Sequence, residues 1–147
     1  MLRSAITART LALAALIMGA AACANSVDVL AAAPPTQLPF GNWGGGVSDI
    51  NASSSATQVS IGCSSGNFAG SVALDRSGRF SVNGSWNGPS GPVRLNSQMP
   101  AQLSGQLIGT SLTFAVAVND TIAKQVSSLG PETVVYGRTT VPIACPL

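Results

Sequence analysis

Histidine is absent from this chain of 147 residues, and only 8% of its residues are charged. Without histidine there can be no Ser-His-Asp triad and no histidine general base. The chain has three cysteines and five carboxylates, and the carboxylates are scattered along it rather than clustered as zinc ligands are. We therefore expect a protein that is not an enzyme and that holds neither a metal nor a cofactor.

Charge of one sign is also lacking once the N-terminus is set aside. The chain has seven basic and five acidic residues, and two of the basic ones are Arg3 and Arg9. If both are removed with a leader, five charges of each sign remain (7 − 2 = 5), and the net charge is zero. Because nucleic-acid binding needs a basic face that releases counterions, no nucleic-acid partner is expected.

The first residues have the order of a secretory signal peptide. The positive charges of Arg3 and Arg9 precede the uncharged Leu- and Ala-rich run from Thr10 to Ala22. This run is shorter than the roughly 20 residues that a membrane-spanning helix needs, and small residues end it. Residues 1–22 are therefore predicted to be a signal peptide of an exported protein.

Two cleavage sites are compatible with this leader. The run Ala20-Ala21-Ala22-Cys23 is similar to a bacterial lipobox, although that motif prefers Leu where Ala20 stands. It predicts a lipid on Cys23 and a lipoprotein anchored to a membrane of the cell envelope. Alternatively, Ala22-Cys23-Ala24 satisfies the A-x-A rule, and cleavage before Asn25 would release a free periplasmic or secreted protein.

The rest of the chain divides into a tether and one domain. Residues 23–39 lack strand alternation and contain Pro34, Pro35 and Pro39, which favour an extended tether. From residue 40 to residue 147, short stretches of alternating polarity are separated by turn residues, and this pattern predicts strands. Seven or eight such strands predict an all-β fold, a small antiparallel up-and-down barrel, with a β-sandwich as the alternative.

The most regular of these stretches predicts a hairpin. Apolar residues alternate from Phe68 to Leu74 and again from Phe80 to Trp86, on either side of a turn at Asp75–Gly78. Near the C-terminus, Gly130-Pro131 is predicted to interrupt the chain, and Thr139–Cys145 is predicted to be part of the last strands.

Cysteine usage predicts one disulfide. Cys63 and Cys145 remain as an even pair whether Cys23 carries a lipid or is removed. Their bridge would close a loop of 82 residues (145 − 63), which the chain-entropy model values at about 4 to 5 kcal/mol.

Several linked motifs resemble a family of small bacterial exported or lipid-anchored β-proteins of uncharacterised function. They lie between Gly41 and Leu112, with the C-terminal Cys145 in addition, and they are Trp-Gly-Gly, Cys-x-x-Gly, Leu-Asp-x-x-Gly-Arg-Phe and Gly-Pro-Val-Arg. In that family an acidic residue and a histidine often follow Trp-Gly-Gly, and a histidine often follows the first cysteine. Here Gly46, Val47 and Ser65 occupy those places, so no role of those histidines is transferred.

A second likeness concerns Trp43. Gly41-Asn42-Trp43 looks like the G-x-W that opens lipocalin-type barrels, in which an arginine of the last strand stacks on the tryptophan. This resemblance implies a cation–π stack between Trp43 and Arg138. The alternative is that Trp43 is a core aromatic residue and Arg138 is solvated.

Two functions of different class follow from this reading. Arg76, Arg79 and Arg94 near the hairpin turn are a candidate patch for an anion or a partner. The preferred hypothesis is a non-enzymatic domain that binds a protein partner at the cell envelope. The alternative is a carrier of a small apolar ligand, in which the interior glycines Gly70, Gly84 and Gly105 leave space for the ligand, whereas a domain this short has little room for both a core and a cavity.

Overall fold

The computed structural model describes residues 34–88, 98–121 and 123–145, and there the chain forms eight β-strands and no helix. In chain order they are β1 Gly41–Gly45, β2 Ser48–Ala52, β3 Ala56–Ile61, β4 Ser64–Ala69, β5 Arg79–Asn87, β6 Met99–Ile108, β7 Ser111–Asp120 and β8 Gln125–Tyr136. No helix in this part of the chain could cross a membrane.

Each strand pairs antiparallel with the next, and β8 pairs with β1, so the sheet closes into an up-and-down barrel. The predicted fold is therefore confirmed, and the sandwich alternative is wrong. Below, the lower end of the barrel is the end with the β6–β7 turn at Gly109-Thr110, and the upper end is the one where β7 ends at Asp120 and β8 begins at Gln125.

Strand alternation builds the core of the barrel. Along β7 the residues Leu112, Phe114, Val116 and Val118 are buried, while the residues between them are exposed or half-buried. The period of two thus directs one set of side chains to the interior, as the sequence predicts. The buried apolar residues of the other strands are Trp43, Ile50, Ala52, Val59, Phe68, Phe80, Trp86, Ala101, Leu103, Leu107 and Val134.

The lower end is covered by two chain segments that the sequence does not mark as a pair. Leu38 is 1% exposed, and its amide donates to the carbonyl of Val72 at 2.8 Å. The amide of Leu74 donates to Thr36 at 2.8 Å, and Val72 and Leu74 are also buried. The last residues of the predicted tether therefore belong to the folded unit.

The predicted hairpin is only partly correct. β4 ends at Ala69, so Val72 and Leu74 lie outside the barrel wall although their alternation continues. The turn at Asp75–Gly78 is confirmed, since the amide of Gly78 donates to the carbonyl of Asp75 at 2.9 Å. Apolar residues that alternate can therefore cover the end of a barrel as well as line its wall.

The end of the chain also differs from the prediction. β8 continues through Gly130-Pro131, whose peptide bond is cis, with a register shift opposite the segment between Phe114 and Val116. Thr139–Cys145 is not a strand but part of a tail, residues 137–145, that follows β8. The shift in register lets the sheet accommodate a glycine-proline pair that would otherwise interrupt the hydrogen-bond ladder.

Candidate binding surfaces

Side chains occupy the interior of the barrel. A ligand cavity would require the large apolar side chains of the strands to point away from the interior. Six of these side chains are instead buried, with at most 7% of each exposed: Val59, Phe68, Phe80, Trp86, Leu112 and Phe114. At two of the glycines that are expected to leave space for a ligand, neighbouring residues fill that space. A Cβ on Gly84 would collide with the Phe68 ring, and a Cβ on Gly105 would meet the Phe80 ring at 2.9 Å. These two glycines therefore accommodate aromatic core residues.

Trp43 is a core residue whose ring is fixed by two contacts. Its indole N–H donates to the carbonyl of Pro39 at 3.2 Å, and its ring packs against Tyr136 in a T-shaped arrangement with 5.0 Å between centroids. Among the described residues Trp43 makes no cation–π contact with Arg138, so Tyr136 has the place that the lipocalin likeness gives to arginine. Arg138 follows β8 and is exposed.

The C-terminal tail is attached to the barrel at three points. The amide of Gly137 donates to Asn42 at 2.8 Å, and the amide of Val141 donates to Gly46 at 2.9 Å. At its end, Cys145 forms the predicted disulfide with Cys63, with 5.5 Å between the Cα atoms. The tail therefore runs from the lower to the upper end along the outside of β1.

The close approach of the tail requires a glycine at position 44 of β1. A Cβ on Gly44 would collide with the carbonyl oxygen of Arg138 in the tail. Only glycine lets the tail backbone lie this close to the strand. The contact covers the outer face of β1 with main chain.

A polar depression of about 230 Å³ opens between the tail and β2. Asp49 lies in it on the outer face of β2, and Asn51 donates to Asn42 at 2.6 Å beside it. Burial raises the pKa of Asp49, and a hydrogen bond from Ser60 partly opposes this shift. The depression is smaller than the roughly 300 to 1,000 Å³ of most small-molecule sites.

The three arginines predicted as a patch do not line one site. Arg76 lines a depression with Pro34, Pro35 and Ile108, whereas Arg79 lines a groove beside Pro131. Arg94 lies outside the described residues. The patch stays a prediction, and so does the lipid on Cys23, which also lies outside them. The structure contains no group of three potential metal ligands among the residues it describes.

The junction of β8 with β1, here called the seam, has the fewest paired residues of any strand junction in the barrel wall. β8 has twelve residues and β1 has five, and only two pairs join them, Trp43 with Tyr136 and Gly44 with Val135. Above these pairs, the Ser48 hydroxyl donates to the Glu132 carboxylate at 3.0 Å. Higher still, Gln125–Leu129 pair with β7 alone among the described strands.

Sequence reasoning missed this open edge, although one signal for it is present. Gln125-Val126-Ser127-Ser128 lacks the strict alternation of β7, as befits a strand exposed on both faces. The edge itself results from the stagger of the strands, which no single strand encodes.

No protein-family model, no curated protein and no solved structure matches this chain. The resemblance to small exported β-proteins therefore stays a prediction, and the geometry of the barrel is the remaining guide to function.

Proposed function

We propose that this protein is an exported β-barrel, lipid-anchored through Cys23, that has no catalytic activity and binds a protein partner at the cell envelope with its outer surface. Three features support the proposal: the predicted leader, the filled interior and the uncharged outer face.

The filled interior is the main observation in favour of binding at the surface. A carrier needs a cavity that covers most of its ligand, whereas Val59, Leu103, Leu112, Val116 and Val134 have no exposed surface at all. Opening a cavity among them would mean displacing close-packed core side chains, which costs several kcal/mol. The surface is therefore the better place for binding.

The outer face of β6 and β7 suits contact with another protein. The side chains between the buried positions are short or uncharged: Gln102, Ser104, Gln106, Thr113, Ala115, Ala117 and Asn119. Charged side chains are depleted from the centres of protein interfaces because their desolvation is costly. This face can be covered by a partner without burying a charge.

Native mass spectrometry of the protein, gently extracted from the cells that make it, tests the proposal. We expect a chain that begins at a lipidated Cys23, is two hydrogens light for the disulfide and is found in complex with a second protein. Protein made without its leader, which receives no lipid, is the control for adducts acquired during extraction.

The protein partner and the lipid anchor each have a contrary result. A stoichiometric small-molecule adduct that survives in the absence of a partner would support the carrier function instead. A chain that begins at Asn25 would overturn the lipid anchor.

A further inference from the structure

The open edge of β8 consists of five consecutive residues, Gln125–Leu129. On one side they pair with β7, from Val116 opposite Leu129 to Asp120 opposite Gln125. On the other side no strand of the described chain pairs with them, since β1 ends at Gly45 and its partners on β8 are Tyr136 and Val135. Alternate residues of an edge strand present unpaired N–H and C=O groups outward.

These residues are accessible from both faces of the sheet. Gln125 to Ser128 are all exposed. On the outer face Val126, opposite Asn119, is 71% exposed, and on the inner face Ser127 is exposed although its partner Val118 is buried. The outer face beside Val126 continues into a groove of about 480 Å³ that reaches Gln102 and Asn83. An incoming chain would thus meet both an edge and a surface for its side chains.

The open edge also lacks the usual protection. Natural edge strands are blunted by charges, prolines or bulges within the strand. Here no charge lies between Gln125 and Leu129, and the protecting features stand only at the two ends, Lys124 on one side and Gly130-Pro131 on the other. The free length between them is five residues, about that of an average strand.

From this geometry we propose that the partner protein adds an extended segment of its own to the open edge, as a ninth strand beside β8. The proposal rests on the proposed function, since it names the surface and the recognition mode of the same partner. Main-chain hydrogen bonds would supply affinity, and the side chains of the added strand would supply specificity.

The edge restricts the chemistry of the added segment. Gln125–Leu129 are uncharged, so the opposing residues are expected to be uncharged, because a charge there would lose solvent without gaining a counter-ion. Next to Lys124 the segment is expected to carry an acidic residue, since opposite charges across a strand pair stabilise it. The partner is therefore an extended uncharged segment of about five residues, flanked by a carboxylate.

Site-specific photo-crosslinking in the producing cells tests the location. The photoreactive residue p-benzoylphenylalanine is placed at Ser128, on the open edge, and in a matched control at Ile108, which is 69% exposed at the lower end. We expect an adduct with a second protein from Ser128 and none above background from Ile108, because only the probe at Ser128 lies beside the added strand.

Two adjacent proline variants test the mode of binding. Val126 and Ser127 pair with Asn119 and Val118 of β7, and in an antiparallel ladder only one of the two donates its N–H to β7. Val126→Pro and Ser127→Pro are each combined with the probe at Ser128, and their thermal stability is measured. The variant that keeps the wild-type melting temperature has lost the outward N–H and no hydrogen bond to β7, and its adduct should fall by roughly tenfold.

The outcomes separate the two proposals. An adduct from Ile108 and none from Ser128 would leave a protein partner in place and overturn the open edge as its site. An adduct between two copies of this chain would overturn the proposed occupant. An undiminished adduct in the thermally unchanged proline variant would overturn strand addition.

Discussion

The two strands that meet at the seam differ in length and in how far other parts of the chain cover them. β1 is short, and the tail covers its outer face through the contact at Gly44 and the hydrogen bond between Val141 and Gly46. β8 is long, and its upper half carries no cover in the part of the chain that the structure describes. The same closure of the barrel therefore leaves one strand covered and the other open.

This difference shows what each element contributes. A five-residue strand with three glycines, at positions 41, 44 and 45, has few side chains to bury, so it depends on Trp43, the tail and the disulfide for its place. β8 is held by its ladder with β7 and can expose its other edge without losing order. The covered side is expected to govern stability, and the open side to govern binding.

Breaking the disulfide should have the largest effect on the covered side. Replacing Cys63 and Cys145 by Ser together removes a closure of 82 residues and should lower the free energy of unfolding by about 4 to 5 kcal/mol in the chain-entropy model. Urea unfolding measures it. The matched control is the wild type in a reductant, which should agree with the double variant, while the reductant should not change the variant further. Equal stability with and without the bridge would contradict the role assigned to the tail.

Crowding the tail should have the second largest effect. Gly44→Ala places a Cβ against the Arg138 carbonyl and should cost about 1 to 3 kcal/mol, as overpacking does. Gly46→Asn is the control, because Gly46 has a positive φ of 57°, which Asn tolerates, and no atom lies within 4 Å of its Cβ position. If both variants unfold at the same urea concentration, the tail does not press on β1.

The pH dependence of stability should distinguish Asp49 beside the tail from Asp75 at the lower end. Burial raises the pKa of Asp49 in the folded protein, so ionised Asp49 opposes folding above that pKa and this cost disappears as the pH falls through it toward 3.8. Asp49→Asn should therefore stabilise the protein at neutral pH, and its advantage should vanish below pH 3.8.

Asp75 serves as the control of opposite sign. Hydrogen bonds from the Ser77 hydroxyl and the Arg79 amide lower the pKa of Asp75 in the folded protein. Its contribution to stability is present above the unfolded value of 3.8 and is lost as the pH falls through the lower folded pKa. Asp75→Asn should thus destabilise at neutral pH, as measured by urea unfolding across pH. The same sign for both variants would contradict the environments described.

Changing the open edge should have the smallest effect on stability. Val126→Lys replaces a residue that is 71% exposed, and the free energy of unfolding should change by no more than about 0.5 kcal/mol. The same variant should weaken partner binding, because a charge on an edge strand discourages the addition of another strand. A large loss of stability would mean that Val126 is packed and the edge is not open.

The sequence predicted the features that depend on local pattern or on counting. The alternation of Leu112 to Val118 gave β7, and the even pair of cysteines gave the disulfide. The sequence did not predict the contacts between segments that are far apart in the chain. Nothing near Leu38 or Val72 shows that they pair, and nothing near Gly44 shows that the tail passes over it.

The open edge could not be predicted for a further reason. It exists because β1 and β8 differ in length and are staggered, which is a property of the closed sheet and not of either strand. Likewise, the sequence alone suggests that the glycines at 84 and 105 leave space for a ligand, whereas in the structure Phe68 and Phe80 occupy that space.

Amide hydrogen exchange across the seam is the most direct test of whether the upper half of β8 is open while β1 is covered. In the isolated protein we expect alternate amides of Gln125–Leu129 to exchange rapidly, amides of β1 under the tail to exchange slowly, and the rapid ones to become protected when the partner is bound. Slow exchange throughout Gln125–Leu129 in the isolated protein would contradict an open edge, and no change there in the complex would contradict its role in binding.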